Sequence, residues 1–179
     1  MSAAARIAVR LDGPGLAAAD LAERYADWLV RIEHMHDDAR ALPNPAPAFA
    51  RLRRPLAESR VGLLTSAGAY VEGDEPFDVD DPHGDPSFRV IPGDVDLSRL
   101  RFAHSHYDTT RAEADPNVVL PLDPLRALAR DGVVGEVAPL NVGMMGFNPH
   151  AHRVADESAP QVAELFVEAA VDVVLLSPG

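Results

Sequence analysis

The sequence predicts an α/β fold, a three-layer domain with a mainly parallel β-sheet, preceded by an N-terminal amphipathic helix. One indication is the unbroken apolar run Val173–Leu176, which is too short to cross a membrane and rich in β-branched residues. Such a run is typical of a strand buried on both faces of a parallel sheet. A helix pattern over 159–170 directly precedes it. Earlier apolar runs predict companion strands, so that strands are expected near 60–66, 101–106, 133–138 and 172–176.

The chain divides into two parts at residue 55. Residues 1–55 are expected to hold the N-terminal helix and a Pro-rich connector, and residues 56–179 the α/β domain. The helix should cover about 17–35, because apolar side chains recur there at helical spacing. These side chains are Leu21, Tyr25, Trp28, Leu29 and Ile32. Prolines at 43, 45 and 47 then exclude regular structure and leave an extended connector.

The first half of the α/β domain alternates strands with turns. Arg60–Val71 begins as a strand and runs into a turn of small residues. The acidic segment Glu72–Pro86 is rich in glycine and proline and is expected to be a solvated loop. Ser87–Ile91 is predicted to be a short strand, and Leu100–His106 the next one.

The second half of the domain should contain two helices. Asp123 is placed as the N-cap of a helix over 123–131, with Pro124 at its first position. Val133–Pro139 fits another short strand. Asn141–Pro149, which contains Gly, Met and Asn, is predicted to be a flexible loop before the last helix.

Composition excludes several classes of function. With 179 residues, 47% of them hydrophobic, the chain is long enough for one well-cored domain. The net charge of −12 argues against binding to nucleic acid and to anionic membrane surfaces. Met1–Arg10 lacks the apolar core of a signal peptide, so the protein is expected to be cytoplasmic. The absence of cysteine excludes a thiol nucleophile, a disulfide and a thiolate metal site within these residues.

A polar cluster follows the strand predicted at 101–106. Its members are His104, His106, Tyr107, Asp108, Thr109 and Thr110. On a strand, His104, His106 and Asp108 would share one face, and two histidines with a carboxylate can bind a divalent metal. The favoured interpretation is instead a hydrogen-bonded cluster at the mouth of a site, without metal. Because neighbouring parallel strands end at the same edge, this cleft is expected also to receive Ser177–Gly179.

The same segment resembles a known family. His106–Thr110 (HYDTT) and Asp115–Asp123 (DPNVVLPLD) are similar to the selenoprotein B subunits of glycine, sarcosine and betaine reductase, and to the D-proline reductase subunit. The resemblance spans roughly 55–179 and is weaker in the N-terminal helix. Supporting matches are Pro76–Asp78, Gly84–Pro92, Met145–Phe147 and Asp172–Pro178.

The resemblance implies reductive cleavage of a small amino-acid-like substrate by a selenol or thiol pair. In that family a selenocysteine or cysteine, and a cysteine three positions on, follow the last strand seen here. Neither lies within this chain, so the resemblance implies no catalytic residue and no cofactor in it, with selenocysteine expected in a full-length member. We therefore expect a chain cut short at a selenocysteine codon after Gly179 and inactive alone as a reductase.

The resemblance also implies partners and binding residues. Partner reductase subunits or a homo-oligomer are expected. Arg89, within a matched segment, is a candidate for a substrate carboxylate because its planar guanidinium suits that geometry. An ion pair between Arg89 and the acidic loop is the structural alternative.

Two other functions remain open. The chain could be a complete, non-redox domain that binds a small molecule or regulates a partner. Metal-dependent hydrolysis at His104, His106 and Asp108 is the third hypothesis.

Overall fold

The structure is a computed structural model that describes residues 50–104 and 106–179. The predicted helix over 17–35 and the Pro-rich connector lie outside these residues, and the boundary at residue 55 stays a prediction. The described strands are β1 (Arg60–Thr65), β2 (Ala69–Val71), β3 (Phe88–Pro92), β4 (Leu100–Phe102), β5 (Glu136–Val137), β6 (Leu140–Met144) and β7 (Val173–Ser177). The described α-helices are α1 (Thr110–Ala114), α2 (Leu122–Arg130), α3 (Ala151–Arg153) and α4 (Ala159–Glu168).

The main sheet is mostly parallel and is organised around β1. On one side, β1 pairs in parallel with β7 over its length, from Val61 opposite Val173 to Thr65 opposite Ser177. On the other side, it pairs in parallel first with β5 and then with β6. β3 lies beyond β6 and runs antiparallel to it. The α/β class, the mostly parallel sheet and the strands expected near 60–66, 133–138 and 172–176 are therefore confirmed, whereas the three-layer arrangement stays a prediction.

The strand predicted near 101–106 is shorter and belongs to a different sheet. β4 ends at Phe102 and pairs antiparallel with β2, which is only three residues long. These two strands form a small sheet of their own. His104 and residues 106–109 therefore lie between β4 and α1, outside any strand, and the alternation of side chains assumed for a strand does not apply to them.

β7 is not buried on both faces, so this expectation is wrong. Leu175 is 48% exposed and Leu176 is 68% exposed. Within residues 50–104 and 106–179, β7 pairs only with β1, and it is therefore an edge strand of the described sheet. An apolar run marks a strand that can be buried, but the neighbours that bury it come from elsewhere in the chain.

The flexible loop predicted over 141–149 begins instead as buried strand β6. Gly143 is needed there because a Cβ at this position would lie 1.9 Å from the carbonyl oxygen of Ala69. The fully buried Asn141 accepts a hydrogen bond from the Leu63 amide at 2.8 Å through Oδ1. This bond lies where β1 changes partner from β5 to β6. Gly143 and Asn141, which suggested a loop, are thus used for close packing and for a hydrogen bond within the sheet.

The predicted helices at 123–131 and 159–170 are present as α2 and α4, but the N-cap of α2 is not Asp123. The helix begins at the fully buried Leu122, after Pro121, and has no side-chain cap. Asp123 lies in its first turn, where its carboxylate pairs with Arg126 at 2.9 Å. The helix thus begins two residues before Pro124, the first position that the capping pattern indicates, and the buried Leu122 occupies its start.

The sheet has a hydrophobic core on each face. Val61 and Leu63 of β1 face a core that includes Leu120, Leu122 and Leu125. On the opposite face, Val142 and Met144 of β6 pack with Val162 and Phe166 of α4. In the part of the chain that the structure describes, no helix has the length and apolar composition needed to cross a membrane. Both cores fix the strand ends that form the site described next.

Candidate functional site

The carboxyl ends of β1, β6 and β7 meet at one edge of the main sheet. The amide of Ser66, directly after β1, donates to the carbonyl of Ser177 at 3.1 Å. The amide of Gly179 donates to Ser66 Oγ at 3.3 Å. A Cβ on Gly179 would lie 2.5 Å from Ala67 Cα, so the segment after β7 lies directly against the turn after β1. In open α/β sheets such edges hold ligand sites.

His104 reaches the same edge. A Cβ placed on Gly146 would lie 3.2 Å from His104 Nε2 and 3.4 Å from Ser66 Oγ. The structure therefore brings His104, from the polar cluster, beside Gly146, and Gly179, from the end of the chain, to Ser66. A shared ligand-binding cleft lined by these two segments stays a prediction.

The surroundings of the half-buried His104 imidazole favour its neutral form. Desolvation by burial lowers its pKa below the usual value, and the nearby His106 lowers it further. Its Nδ1 accepts a hydrogen bond from the backbone N–H of His106 at 3.0 Å. Because a neutral imidazole carries one proton, that proton is then on Nε2, which lies beside Gly146. His104 is therefore a hydrogen-bond donor at the edge of the sheet.

The other aromatic members of the polar cluster have structural contacts. Tyr107 donates from its hydroxyl to the carbonyl of Ala67 at 2.9 Å and packs edge-on against His104. Burial raises the pKa of Tyr107, and Glu113 raises it further, so the phenol stays protonated. The exposed His106 stacks on Phe147, with ring centroids 3.7 Å apart. These contacts hold the connection that carries His104.

Asp108, Thr109 and Thr110 organise the start of α1. Asp108 accepts hydrogen bonds from the amide of Thr110 at 3.0 Å and from its hydroxyl at 2.5 Å. These two bonds lower the pKa of the exposed Asp108 carboxyl. Thr109 donates to Glu113 at 2.8 Å. Within the described ranges, no three His, Asp or Glu side chains are grouped so that they could hold a metal ion. The geometry thus gives no support to hydrolysis at His104, His106 and Asp108.

Arg89 is engaged by the acidic loop. Its guanidinium donates to the carbonyl oxygens of Glu75 at 2.6 Å and Pro76 at 3.1 Å, and to Ser87 Oγ at 2.8 Å. It also lies over the ring of Phe77, 4.5 Å from the centroid. These hydrogen bonds hold the loop through two of its backbone carbonyls, and the positive charge of Arg89 also helps to lower the pKa of the loop residue Asp85. Binding of a substrate carboxylate by Arg89 stays a prediction.

An apolar cavity that the sequence did not indicate opens beside Ser66. We call it the edge cleft; its volume is about 450 Å³. The edge cleft is lined by Leu64, Ser66, Met144, Met145, Gly146, Asn148, Ala151, Val154, Ala155 and Ala159. The one available signal was the Met145–Phe147 match to the family, which sequence reasoning treated as part of a flexible loop. Small and apolar side chains carry no chemical signature, so only their convergence reveals the cleft.

Comparison with known proteins places the chain in a family. The family model for glycine/sarcosine/betaine reductase selenoprotein B matches residues 53–178. The chain belongs to this family. The match includes the polar cluster, β6 and β7. Of the residues described at the carboxyl edge of the sheet, only Gly179 lies outside it.

Several curated relatives carry reductase names. The chain is 36% identical over 135 residues to D-proline reductase subunit gamma of Acetoanaerobium sticklandii, which covers 75% of this chain and 54% of the relative. It is 30% identical over 141 residues to glycine reductase complex component B subunit gamma of Symbiobacterium thermophilum, covering 74% and 32%. Sarcosine reductase complex component B subunit beta of Peptoclostridium acidaminophilum is 33% identical over 132 residues, covering 69% and 30%.

These relatives are longer than the present chain. The chain spans 54% of the D-proline reductase subunit and about a third of the other two. No solved structure gave a significant match. Membership of the selenoprotein B family is therefore established by sequence, and the arrangement of the carboxyl edge comes from the present structure.

Proposed function

We propose that this selenoprotein B family chain contributes the substrate-side portion of an amino-acid reductase. The reaction would be reductive cleavage of a small amino-acid-like substrate, as the names of the glycine, sarcosine and D-proline reductase relatives suggest. A selenol or thiol pair, expected after Gly179 in a full-length family member, would supply the redox chemistry. No residue of this chain is assigned that role, because the chain contains no cysteine.

The observation that carries the proposal is the convergence of the end of β7 with His104 and the edge cleft. Gly179 is hydrogen-bonded to Ser66, and Ser66 and Gly146 both line the edge cleft. A residue that follows Gly179 in a longer form would start from this edge. A selenol or thiol placed there at the start of a helix would be ionised more easily and become a better nucleophile.

The residues of this chain would bind and orient the substrate. His104 would donate a hydrogen bond, and Ser177 and the edge cleft would help to shape the site. Tyr107, Asp108, Thr109 and Thr110 would act indirectly by holding the connection. Other reductase subunits are the expected partners, since the relatives are named as subunits or complex components. A homo-oligomer and a cytoplasmic location remain part of this proposal.

The test is turnover by a longer form of the chain. A form extended past Gly179 with a selenocysteine or cysteine pair should, with its partner subunits, reduce D-proline, glycine, sarcosine or betaine. Replacing the first residue of the pair by serine should abolish turnover, because a hydroxyl is a far weaker nucleophile at neutral pH. The 179-residue chain should show no turnover, and reduction of any of these substrates by that chain alone would contradict the proposal.

A non-redox binding domain is the second candidate, because the edge cleft is formed entirely within a chain that lacks cysteine. The coding sequence distinguishes the two. An in-frame UGA after the codon for Gly179, followed within a few codons by cysteine, supports the reductase. An ordinary stop codon supports the binding domain.

A further inference from the structure

The lining of the edge cleft is uncharged and mostly apolar. Of its ten lining residues, Ser66 and Asn148 are the polar ones, and none is charged. Asn148 already donates from its amide nitrogen to the carbonyl of Met145 at 2.6 Å. The cleft is open to solvent, and its lining offers no counter-charge to a carboxylate or ammonium, whereas its apolar side chains can cover a carbon-rich group. The cleft therefore selects for carbon-rich groups.

The size of the edge cleft fits a small molecule. Its volume of about 450 Å³ lies within the range of roughly 300–1,000 Å³ found for small-molecule sites. Its wall is formed partly by a π-helical turn, Val154–Ser158, which contributes Val154 and Ala155. Such turns are rare and occur frequently at functional sites. The turn is thus an independent indication that this side of the sheet binds a ligand.

A hydrogen-bond donor, His104, lies beside Gly146, one of the residues that line the edge cleft. His104 Nε2 lies 3.2 Å from the position that a Cβ of Gly146 would occupy, and Gly146 itself lines the cleft. Because the imidazole is neutral with its proton on Nε2, it can donate to an acceptor without bringing a charge to the apolar mouth. A ligand that matches these features has a carbon-rich body and an uncharged acceptor oxygen at one end.

We propose that the edge cleft binds the uncharged, carbon-rich part of a small ligand, such as an aliphatic ring, and that His104 donates a hydrogen bond to an acceptor oxygen at its mouth. Charged groups of the same ligand stay outside the cleft, in solvent. The conclusion that this ligand is the substrate rests on the proposed function. The conclusion that the cleft binds such a ligand can be tested without reductase turnover.

The test uses the full 179-residue chain with methyl-¹³C methionine. Met144 and Met145 line the edge cleft and report on it; the chain has two further methionines, at positions 1 and 35. The probe is cyclopentanecarboxamide, which has an aliphatic ring and a neutral acceptor. Acetamide, with the same acceptor and no ring, is the matched control. Signals can be assigned with Met144→Leu and Met145→Leu, which conserve volume.

Cyclopentanecarboxamide should shift the Met144 and Met145 signals in a saturable way. Acetamide should bind at least about tenfold more weakly, because it lacks the buried methylene groups. Ala155→Phe, which fills the cleft, should abolish the shifts. Ala163→Phe, on an exposed position of α4 outside the cleft, should leave them unchanged.

Variants of His104 test the donor. His104→Gln keeps a donor at a similar reach and should bind the probe within about twofold of the unmodified chain, whereas His104→Phe should bind about fivefold more weakly. Equal binding by the two variants would overturn the assignment of His104. Unchanged methionine signals at about 10 mM probe, beyond the millimolar Kd expected of a small fragment, would overturn the edge cleft itself. Shifts that persist in Ala155→Phe would do the same.

The outcome is separable from that of the reductase proposal. Probe binding without turnover by the longer form would refute the reductase function and leave the edge cleft assigned. Turnover without probe binding would refute the edge cleft and leave the reductase function.

Discussion

β6 and β7 are both parallel neighbours of β1, but they differ in burial and composition. β6, with the sequence LNVGM, is buried at every residue after the first. β7, with the sequence VVLLS, has no fully buried residue, and Leu175 and Leu176 are exposed. The strand with the less hydrophobic composition is thus the buried one. Sequence patterns predict the reverse.

The difference follows from what lies on each side of the two strands. β6 is flanked by β1 and β3, and the close approach of β2 at Gly143 covers it further. β7 has β1 as its one strand neighbour within the described residues. Burial of a strand therefore depends on its place in the sheet, and a strand with two neighbours can include Gly and Asn where packing requires them.

Replacing Gly143 should have the largest effect on this comparison. In Gly143→Ala the new Cβ would lie 1.9 Å from the carbonyl oxygen of Ala69, a backbone atom that moves only if β2 moves. We expect the free energy of unfolding to fall by about 3 kcal/mol or more, measured by urea denaturation. Gly62→Ala is the matched control, because its Cβ would meet the rotatable ring of Phe166 at 3.0 Å. Equal losses in the two variants would show that β6 is not closely packed against β2.

Asn141 should rank second. Asn141→Ala removes the acceptor of the Leu63 amide in the sheet interior, and a buried amide without a partner costs about 1–3 kcal/mol. Hydrogen exchange at Leu63 should accelerate along with the loss of stability. Ser177→Ala on β7 should change stability by under about 0.5 kcal/mol, since the described contact of Ser177 is made by its backbone carbonyl. If Asn141→Ala leaves the free energy of unfolding unchanged, the hydrogen bond between β1 and β6 does not contribute to stability.

Shortening an apolar side chain on β7 should have a small effect. Leu176→Ala is expected to cost under about 1 kcal/mol because the side chain is already 68% exposed. Val142→Ala, at a fully buried position of β6, should cost more, about 1–3 kcal/mol. If thermal or urea unfolding shows Leu176→Ala to be the more damaging change, β7 is covered in solution by residues outside the described sheet.

The smallest effect concerns pH at the edge where both strands end. Burial lowers the pKa of His104, and His106 lowers it further, so the folded chain takes up the proton at lower pH than the unfolded chain. As pH falls through the ordinary histidine value of about 6.5, the unfolded state binds a proton that the folded state does not, and stability falls. That loss stops below the folded pKa. His104→Gln cannot titrate, so its stability should depend less on pH between about 7 and 5; an identical pH profile would place His104 in solvent.

Part of the candidate site could be predicted from the sequence. The HYDTT segment indicated the right family, because its motif is long and specific. Its assumed strand geometry was wrong, since β4 ends at Phe102. The approach of His104 to Gly146 joins residues 42 positions apart, and no local pattern encodes it. The same holds for the edge cleft, whose walls come from β1, β6 and the π-helical turn.

The sequence by itself determined the α/β class, most strand and helix positions, the absence of cysteine and the family. These follow from local periodicity, composition and motif, which act within one segment of the chain. The tertiary structure alone decided that β6 is central and β7 lies at the edge of the described sheet. It also decided that Asn141 hydrogen-bonds β1 and that His104 lies beside Gly146. Each of these depends on which distant segments become neighbours, because burial and hydrogen bonding are settled between segments and not within them.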